Sequence, residues 1–335
     1  MIDKQLGSCC NRGLFHIKIY IMDKLFRNGG SNMQKIGFVG FGAIGGTYGA
    51  QMMDEGIDIY VVVDDSRKER YKKEGIIVND KHYDLKVITD KEDSINMDMI
   101  FVSVKYHDLK NAIKLMKPFV GEKTIIVSLL NGIDSEEILA DAFGKEKVLF
   151  GFSVVIDALR IENRIEYSNQ GTIVFGDGFG KNPKALAQVE ELFKKSKISY
   201  KISEEMIKEQ WWKFLINVGI NQTSAVLLGP YGLFQKNEEA RSIMISAMKE
   251  VIELSKAMNI NLKESGIDDF IVILNKLAPD KKTSMLQDVE AKRKTEVEML
   301  AGKVIELGKK FDVPTPINEL LFKMIKAIEY KNEHF

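Results

Sequence analysis

The stretch WWKFLINVGINQTSA, residues 211–225, sets Lys213, Asn217 and Asn221 four residues apart in an otherwise apolar or small run. At about 3.6 residues per helical turn, such positions drift by only roughly 40°, so one ammonium and two carboxamides share a face. An ammonium can stabilise a developing oxyanion and hand it a proton. Carboxamides can donate to and accept from a polar ligand. Phe214, Leu215, Ile216, Val218 and Ile220 cover the remaining faces. The polar face therefore meets either solvent or a polar cleft. Trp211, Trp212 and the apolar surround argue for a largely buried helix. A buried amide without a partner costs about 1–3 kcal/mol, so two in line imply that something fills their hydrogen bonds.

A second constellation is made of glycines. KIGFVGFGAIGG (35–46) places Gly40, Gly42 and Gly45 in G-x-G-x-x-G spacing, after an apolar strand and at the start of a helix. Alone the spacing is weak; between strand and helix it predicts a dinucleotide-binding turn. Gly40 permits the tight turn, Gly42 lets the backbone approach a pyrophosphate, and Gly45 lets helix and strand pack closely. Ala43 and Ile44 complete the expected cofactor-binding set, because a helix N-terminus offers free N–H donors and a positive dipole end. The next strand, IDIYVVV, ends at Asp64 and Asp65. Asp64 is placed to bind the ribose 2′-hydroxyl of NAD and repel a 2′-phosphate. Arg67, Lys68 and Arg70 follow at once and would suit NADP, so the two readings stand side by side.

These residues need elements to hold them. From Gln34 to about Ser203, short β-rich runs at 35–40, 57–63, 99–104, 124–130 and 148–156 alternate with helical stretches such as 107–119 and 135–143. That rhythm predicts an α/β fold: an N-terminal Rossmann-type, doubly wound, mostly parallel sheet with helices on both faces. Segments 75–89 and 164–177 read as hairpins attached to it. From about Glu204 the strands stop. Helical periods at 204–227, 238–259, 264–277, 285–311 and 316–331 predict an all-helical C-terminal domain, with prolines 230, 279, 314 and 316 at the joins. The expected organisation is an extension at 1–33, a dinucleotide-binding domain at 34–203 and a helical substrate domain at 204–335. The extension is expected to be poorly ordered, since its apolar run FHIKIYIM lacks the flanks of a signal peptide.

The totals exclude several classes. With 48 basic and 48 acidic residues in 335, the chain has no broad electrostatic reason to seek nucleic acid or membrane. No apolar run is long enough to span a bilayer. Cys9 and Cys10, the only cysteines, are adjacent and cannot staple the fold, which suits a reducing cytoplasm. None of the four histidines sits with acidic or cysteine partners at metal-ligand spacing, so no metal is implied.

Four further residues lie where ligands of open α/β sheets bind, or on the helical segment opposite. Lys105 in VSVKYHD and Asn131 in LLNGID stand just past strand ends. Ser284 and Glu296 lie in TSMLQDVEAKRKTEVEMLAG (283–302). Each has a plainer reading: a solvated strand-end lysine, a tight Asn-Gly turn, a helix cap, and one charge among many on a helix.

Taken with the glycine turn, the K-x-x-x-N-x-x-x-N helix, the S-M-x-Q-D run, its following T-E and V-P-T-P-x-N (313–318), the chain resembles the ketopantoate reductase family from about residue 34 to 331. The resemblance implies NAD(P)H-dependent reduction of 2-dehydropantoate to pantoate, toward pantothenate and coenzyme A, in a cleft between the two domains. It implies Lys213 as the catalytic acid and Glu296 as the active-site glutamate, paired with Lys213 or positioning substrate. It further implies Asn217, Asn221 and Ser284 as substrate contacts, and Lys105 and Asn131 as cofactor-side residues. NADPH is the family's usual cofactor. Asp64 falls where NADP-selective relatives commonly carry arginine, which keeps NADH open. Gln222 and the MLAG run (299–302) also depart from the family pattern, and bear on substrate identity. A small 2-oxo acid is the implied partner, and the apolar helical faces are compatible with a homodimer. Two rivals remain: a related dehydrogenase of another 2-oxo or 3-hydroxy acid, and a non-catalytic dinucleotide-binding sensor.

Overall fold

A computed structural model describes residues 34–91 and 95–335, so the expected extension at 1–33 lies outside the described residues. The glycine turn links β1 (Lys35–Val39) to α1 (Ala43–Asp54). β2 (Asp58–Val62) and α2 (Asp65–Glu74) follow, then three short strands, β3 (Ile76–Val78), β4 (Lys81–Tyr83) and β5 (Lys86–Ile88). β6 (Met97–Val102), α3 (Leu109–Met116), β7 (Val120–Ser128), α4 (Ser135–Phe143) and β8 (Val148–Val154) continue the alternation. β9 (Leu159–Ile161), β10 (Arg164–Glu166), β11 (Thr172–Gly176), α5 (Pro183–Lys195) and β12 (Tyr200–Ile202) close it.

Among the described residues, the main sheet runs β12-β11-β8-β7-β6-β1-β2-β5, parallel except where β11 meets β8. Alternate residues of one strand feed opposite layers. Phe38 and Phe101 pack with Tyr48 of α1 and Phe193 of α5, whereas Val39 and Val102 pack with Leu109 of α3 and Leu139 of α4. Both faces are covered, so the central strands read as continuous apolar runs.

The two expected hairpins are corrected. β3 and β4 do form a hairpin, turning at Asn79 and Asp80, both with positive φ (44° and 66°). It belongs to a second sheet, β4-β3-β10-β9, and not to the main one; β5 alone joins the main edge. The segment 164–177 is no hairpin. β10 pairs with β3 and β9, while β11 pairs with β8 and β12. Between them, Asp157 accepts from the backbone N–H groups of Ser168 (2.8 Å) and Asn169 (2.7 Å) and directs the chain from one sheet to the other. The small sheet seats Ile165 on α1, where a side chain at Gly46 would come within 2.2 Å of it.

Helices make up the rest: α6 (Met206–Ile216), α7 (Gln222–Leu227), α8 (Tyr231–Lys236), α9 (Glu238–Ala257), α10 (Ser265–Leu274), α11 (Ser284–Glu290), α12 (Lys303–Phe311) and α13 (Pro316–His334). Their core gathers Trp211, Phe214, Val218, Met248, Leu300 and Ile325. No helix of the described residues is long and apolar enough to cross a membrane.

Two expected helices are interrupted, and both interruptions face the site. The helix at 204–227 passes through a π-helical turn at Asn217–Asn221. The one at 285–311 breaks after Glu290 and resumes through a second π-helical turn at Glu298–Gly302, closed by Gly302 N–H on the Val297 carbonyl at 3.0 Å. Lys292, at φ 53°, makes the break. Periodicity could not show the π-turns, because one extra residue in a turn only rotates the apolar stripe between two stretches that each keep a helical period.

Candidate active site

The glycine turn is shaped by its own backbone. Gly40 adopts φ +90°, and a Cβ there would lie 2.7 Å from the Ser103 carbonyl carbon. A Cβ at Gly45 would lie 2.3 Å from the Gly40 oxygen. Above Gly42 the case is opposite: nothing stands within 4 Å of an added Cβ. The turn's carbonyls are tied back into the protein. Ser103 Oγ donates to Gly40 O at 2.6 Å, and the Arg160 guanidinium donates to Phe41 O. No side chain caps α1, and its first backbone bond runs from Gly46 N–H to Gly42 O (2.8 Å). The amides of Ala43, Ile44 and Gly45 thus have no partner inside the helix. Free N–H donors beside open space fit a dinucleotide's phosphates.

Asp64 lies apart, at the end of β2, as the N-cap of α2. Its carboxylate accepts from the Arg67 N–H at 3.0 Å and from Ser66 Oγ. Ser66's hydrogen bond, foremost, holds its pKa below the ordinary carboxylate value. The cap gives an acidic residue here a local role beside any contact with a cofactor.

A small pocket collects most of the other candidates. Asn131, Asn217, Asn221, Ser284 and Glu296 all line it. Met285, Met299 and Leu300 supply apolar wall, and Asp288 a further carboxylate. The π-turn helps align the stripe. The 40° drift of an α-helix between Lys213 and Asn217 is followed by a wider turn that rotates Asn221 back. Gly219 sits inside that turn because a Cβ would lie 2.5 Å from Met248 Cγ on α9. Ser284 begins α11, but the cap is its neighbour: Thr283 Oγ1 accepts from Leu286 N–H at 3.2 Å. The plain helix-cap reading of Ser284 therefore passes to Thr283.

Lys213 is partly buried. Its ammonium donates to the backbone carbonyl of Ser153 on β8 at 2.6 Å and lies 4.8 Å from the centroid of the Phe152 ring. Burial pushes the amine down to about 7, against the opposing pull of Glu296's charge. Glu296 is not hydrogen-bonded to it. One Glu296 oxygen accepts from the Tyr106 N–H (3.1 Å) and the other from Lys105 Nζ (3.3 Å). Nor does Glu296 lie on a helix among other charges; it stands in the break before the second π-turn. Its neighbour Thr295 is clamped there, donating through N–H and Oγ1 to Glu329 at 2.8 and 2.7 Å.

Lys105, expected on the cofactor side, also donates to Asp288 at 2.9 Å, and so ties the end of β6 to the helical half. Desolvation would lower its pKa, but Glu296 and Asp288 outweigh that and raise it. A second tie runs alongside: Tyr106 Oη donates to Asp134 at 2.7 Å, and Lys303 Nζ lies 3.3 Å from the same oxygen. Asp134 follows the Asn131-Gly132 turn, where Gly132 has φ +97° and an added Cβ would lie 2.8 Å from Met299 Cγ. Sequence reasoning missed Ser153, Tyr106, Asp134 and Asp288 as site neighbours. Asp288 was within reach, since it lies in the S-M-x-Q-D run; Ser153 acts through a backbone carbonyl and left no signal.

Residues 36–179 match the family model for ketopantoate reductase PanE/ApbA, and residues 205–329 match that for its C-terminal part. A 2-dehydropantoate 2-reductase of Aquifex aeolicus (strain VF5) is 31% identical over 311 residues, covering 90% of this chain and 98% of its own. Among solved structures, D-mandelate dehydrogenase with NADH and anilino(oxo)acetate superposes with a TM-score of 0.82 at 20% identity, over 90% of this chain and 99% of that one. A dimeric ketopantoate reductase from Staphylococcus aureus gives 0.76 at 19% identity, over 89% and 99%. A Rossmann-type sheet, a phosphate-ready glycine turn and these relatives define an NAD(P)-dependent oxidoreductase acting on CH–OH groups. The chain belongs to the ketopantoate reductase family.

Proposed function

We propose that this chain reduces the ketone of a 2-oxo acid, with 2-dehydropantoate as the substrate and Lys213 as the general acid. The observation that carries the reading is the setting of Lys213: an amine withdrawn from water, pinned to Ser153 O, on the helix whose Asn217 and Asn221 line the polar pocket. A bound nicotinamide supplies the hydride. This chain's own residues do the rest. Lys213 stabilises the negative charge that builds on the ketone oxygen and delivers the proton. Asn217, Asn221 and Ser284 hold the carboxylate and hydroxyl ends of the substrate, which fixes its orientation. Glu296, held by Lys105 and the Tyr106 N–H, keeps negative charge near Lys213 and favours its protonated form.

The glycine turn at Gly40–Gly45 takes the pyrophosphate, with Ala43 and Ile44 offering N–H groups, while Asn131 and Lys105 border the nicotinamide side. NADPH is the cofactor expected from the family; the acidic cap at Asp64 supports NADH as an alternative. Residues 34–203 and 204–335 act as cofactor and substrate domains of a cytoplasmic enzyme, assembled as a homodimer like the staphylococcal relative. A second reading, reduction of a different 2-oxo acid, is favoured by one observation: Met285, Met299 and Leu300 give the pocket a wall suited to an apolar substituent. A steady-state assay of both cofactors against 2-dehydropantoate and a panel of 2-oxo acids tests the two. The highest kcat/KM on 2-dehydropantoate supports the first, and a higher one on an aryl or alkyl 2-oxo acid the second.

A further inference from the structure

Below the site lies a buried carboxyl that the chemistry above does not use. Glu136, in the first turn of α4, is fully buried. Its Oε2 accepts from Ser135 Oγ and from Gln210 Nε2, each at 2.9 Å, while its Oε1 is buried with no partner. Ser135 Oγ also meets Ser128 Oγ at 3.0 Å. Ser128 ends β7 and Ser135 begins α4, so this contact pinches the base of the loop that carries Asn131. Gln210 lies on α6, three residues before Lys213 and hence on a neighbouring helical position.

We propose that Glu136 is a positioning residue for the reduction: through Gln210 it fixes the Lys213 helix against the loop that presents Asn131. The inference rests on the reading of Lys213 as the acid. Its argument is geometric. One carboxyl oxygen receives a donor from each side of the gap, and both donors are neutral side chains. Glu136 therefore contributes register between the loop and the helix rather than charge neutralisation. Burial pushes its carboxyl up to about 7, so the site keeps an ionisable group where an apolar one would have filled the space at less desolvation cost. The orphaned Oε1 points the same way, since stability alone would select against it. The small offset between a lysine and a carbonyl that this bond controls is the kind of distance to which proton delivery is sensitive.

The test is the double variant Glu136→Leu/Gln210→Leu, which removes both members of the bond across the gap, while Ser135 Oγ keeps Ser128 Oγ as its partner. Its Tm confirms folding. With a positioning role, kcat falls by about 10-fold to 100-fold while KM and the Kd for cofactor stay within about threefold. Lys213 is also titrated by competitive acetylation with mass spectrometry, a readout that needs no substrate. The expected result is a rise of about one pH unit or more in the amine's titration midpoint, as water reaches a helix no longer held. Where turnover is measurable, a kcat within threefold of the wild type overturns the proposal. Where wild type reduces no 2-oxo acid, the functional reading fails, and the titration decides this inference by itself: an unmoved midpoint overturns it.

Discussion

The glycine turn and the polar pocket beside the π-turn are built in opposite ways. The turn is made by what is missing. Gly40, Gly42 and Gly45 give up side chains so that backbone can meet backbone at two positions and leave open space at the third. The pocket is made by what is present, as Asn131, Asn217, Asn221, Ser284 and Glu296 converge from four separate segments. The first depends on local conformation and the second on tertiary closure, so the two fail differently when altered.

The largest break is expected at Lys213. Lys213→Ala should lower kcat by about 10²–10⁴-fold with little change in Kd for the cofactor, because the loss falls on proton transfer and charge stabilisation. A steady-state assay paired with a fluorescence titration of cofactor separates the two effects. A kcat held within a few-fold would mean that another group is the acid.

The pH profile sharpens the same side of the comparison. The acid must be protonated, and Lys213 loses its proton as pH rises through about 7. The kcat for reduction should be flat below that value and fall above it by about tenfold per pH unit, while the reverse oxidation rises. A profile level to pH 9 would contradict the depressed amine.

The turn is broken by a pair of alanines. Gly45→Ala places a Cβ 2.3 Å from the Gly40 oxygen, so it should cost about 1–3 kcal/mol of stability as well as cofactor affinity. Gly42→Ala meets no protein atom within 4 Å; Tm should fall by no more than about 2–4 °C while the cofactor Kd rises about tenfold. Thermal melts with and without cofactor resolve the pair. Equal losses of stability would show that Gly42 serves packing alone.

The smallest effect is expected at Asp64. Asp64→Ser keeps an α2 cap but removes the charge, whereas Asp64→Ala removes both. The serine variant should retain Tm and shift the NADPH/NADH ratio of kcat/KM upward by a few-fold; the alanine variant should shift it similarly and lose about 1 kcal/mol of stability. An unchanged ratio in both would leave the carboxylate as a cap and nothing more.

Much of the fold was legible because its signals are local. Strand, helix and glycine spacing follow from sterics within a few residues, and the alternation of strand and helix announced a sheet covered on both faces. What misled was pairing. β10 and β11 sit close in sequence and look like a hairpin, yet join different sheets, because Asp157 and Gly46 act on them from elsewhere in the chain. For Glu296, which the resemblance made the active-site glutamate, the plainer reading as one charge on a helix was set aside only by the break at Lys292. Asp64 read as a cofactor residue from its place after β2, and only the structure adds its capping bond to Arg67 N–H.

The sequence by itself determined the alternation of elements, the conformational freedom of the glycine turn and the shared face of Lys213, Asn217 and Asn221. These depend on φ, ψ and helical pitch, which neighbouring residues dictate. Tertiary structure decided which groups those residues meet: Ser153 O for Lys213, Lys105 for Glu296 and Glu136 for Gln210. Those partners lie 60 to 191 residues apart along the chain, and desolvation exists only once distant segments have closed over the amine.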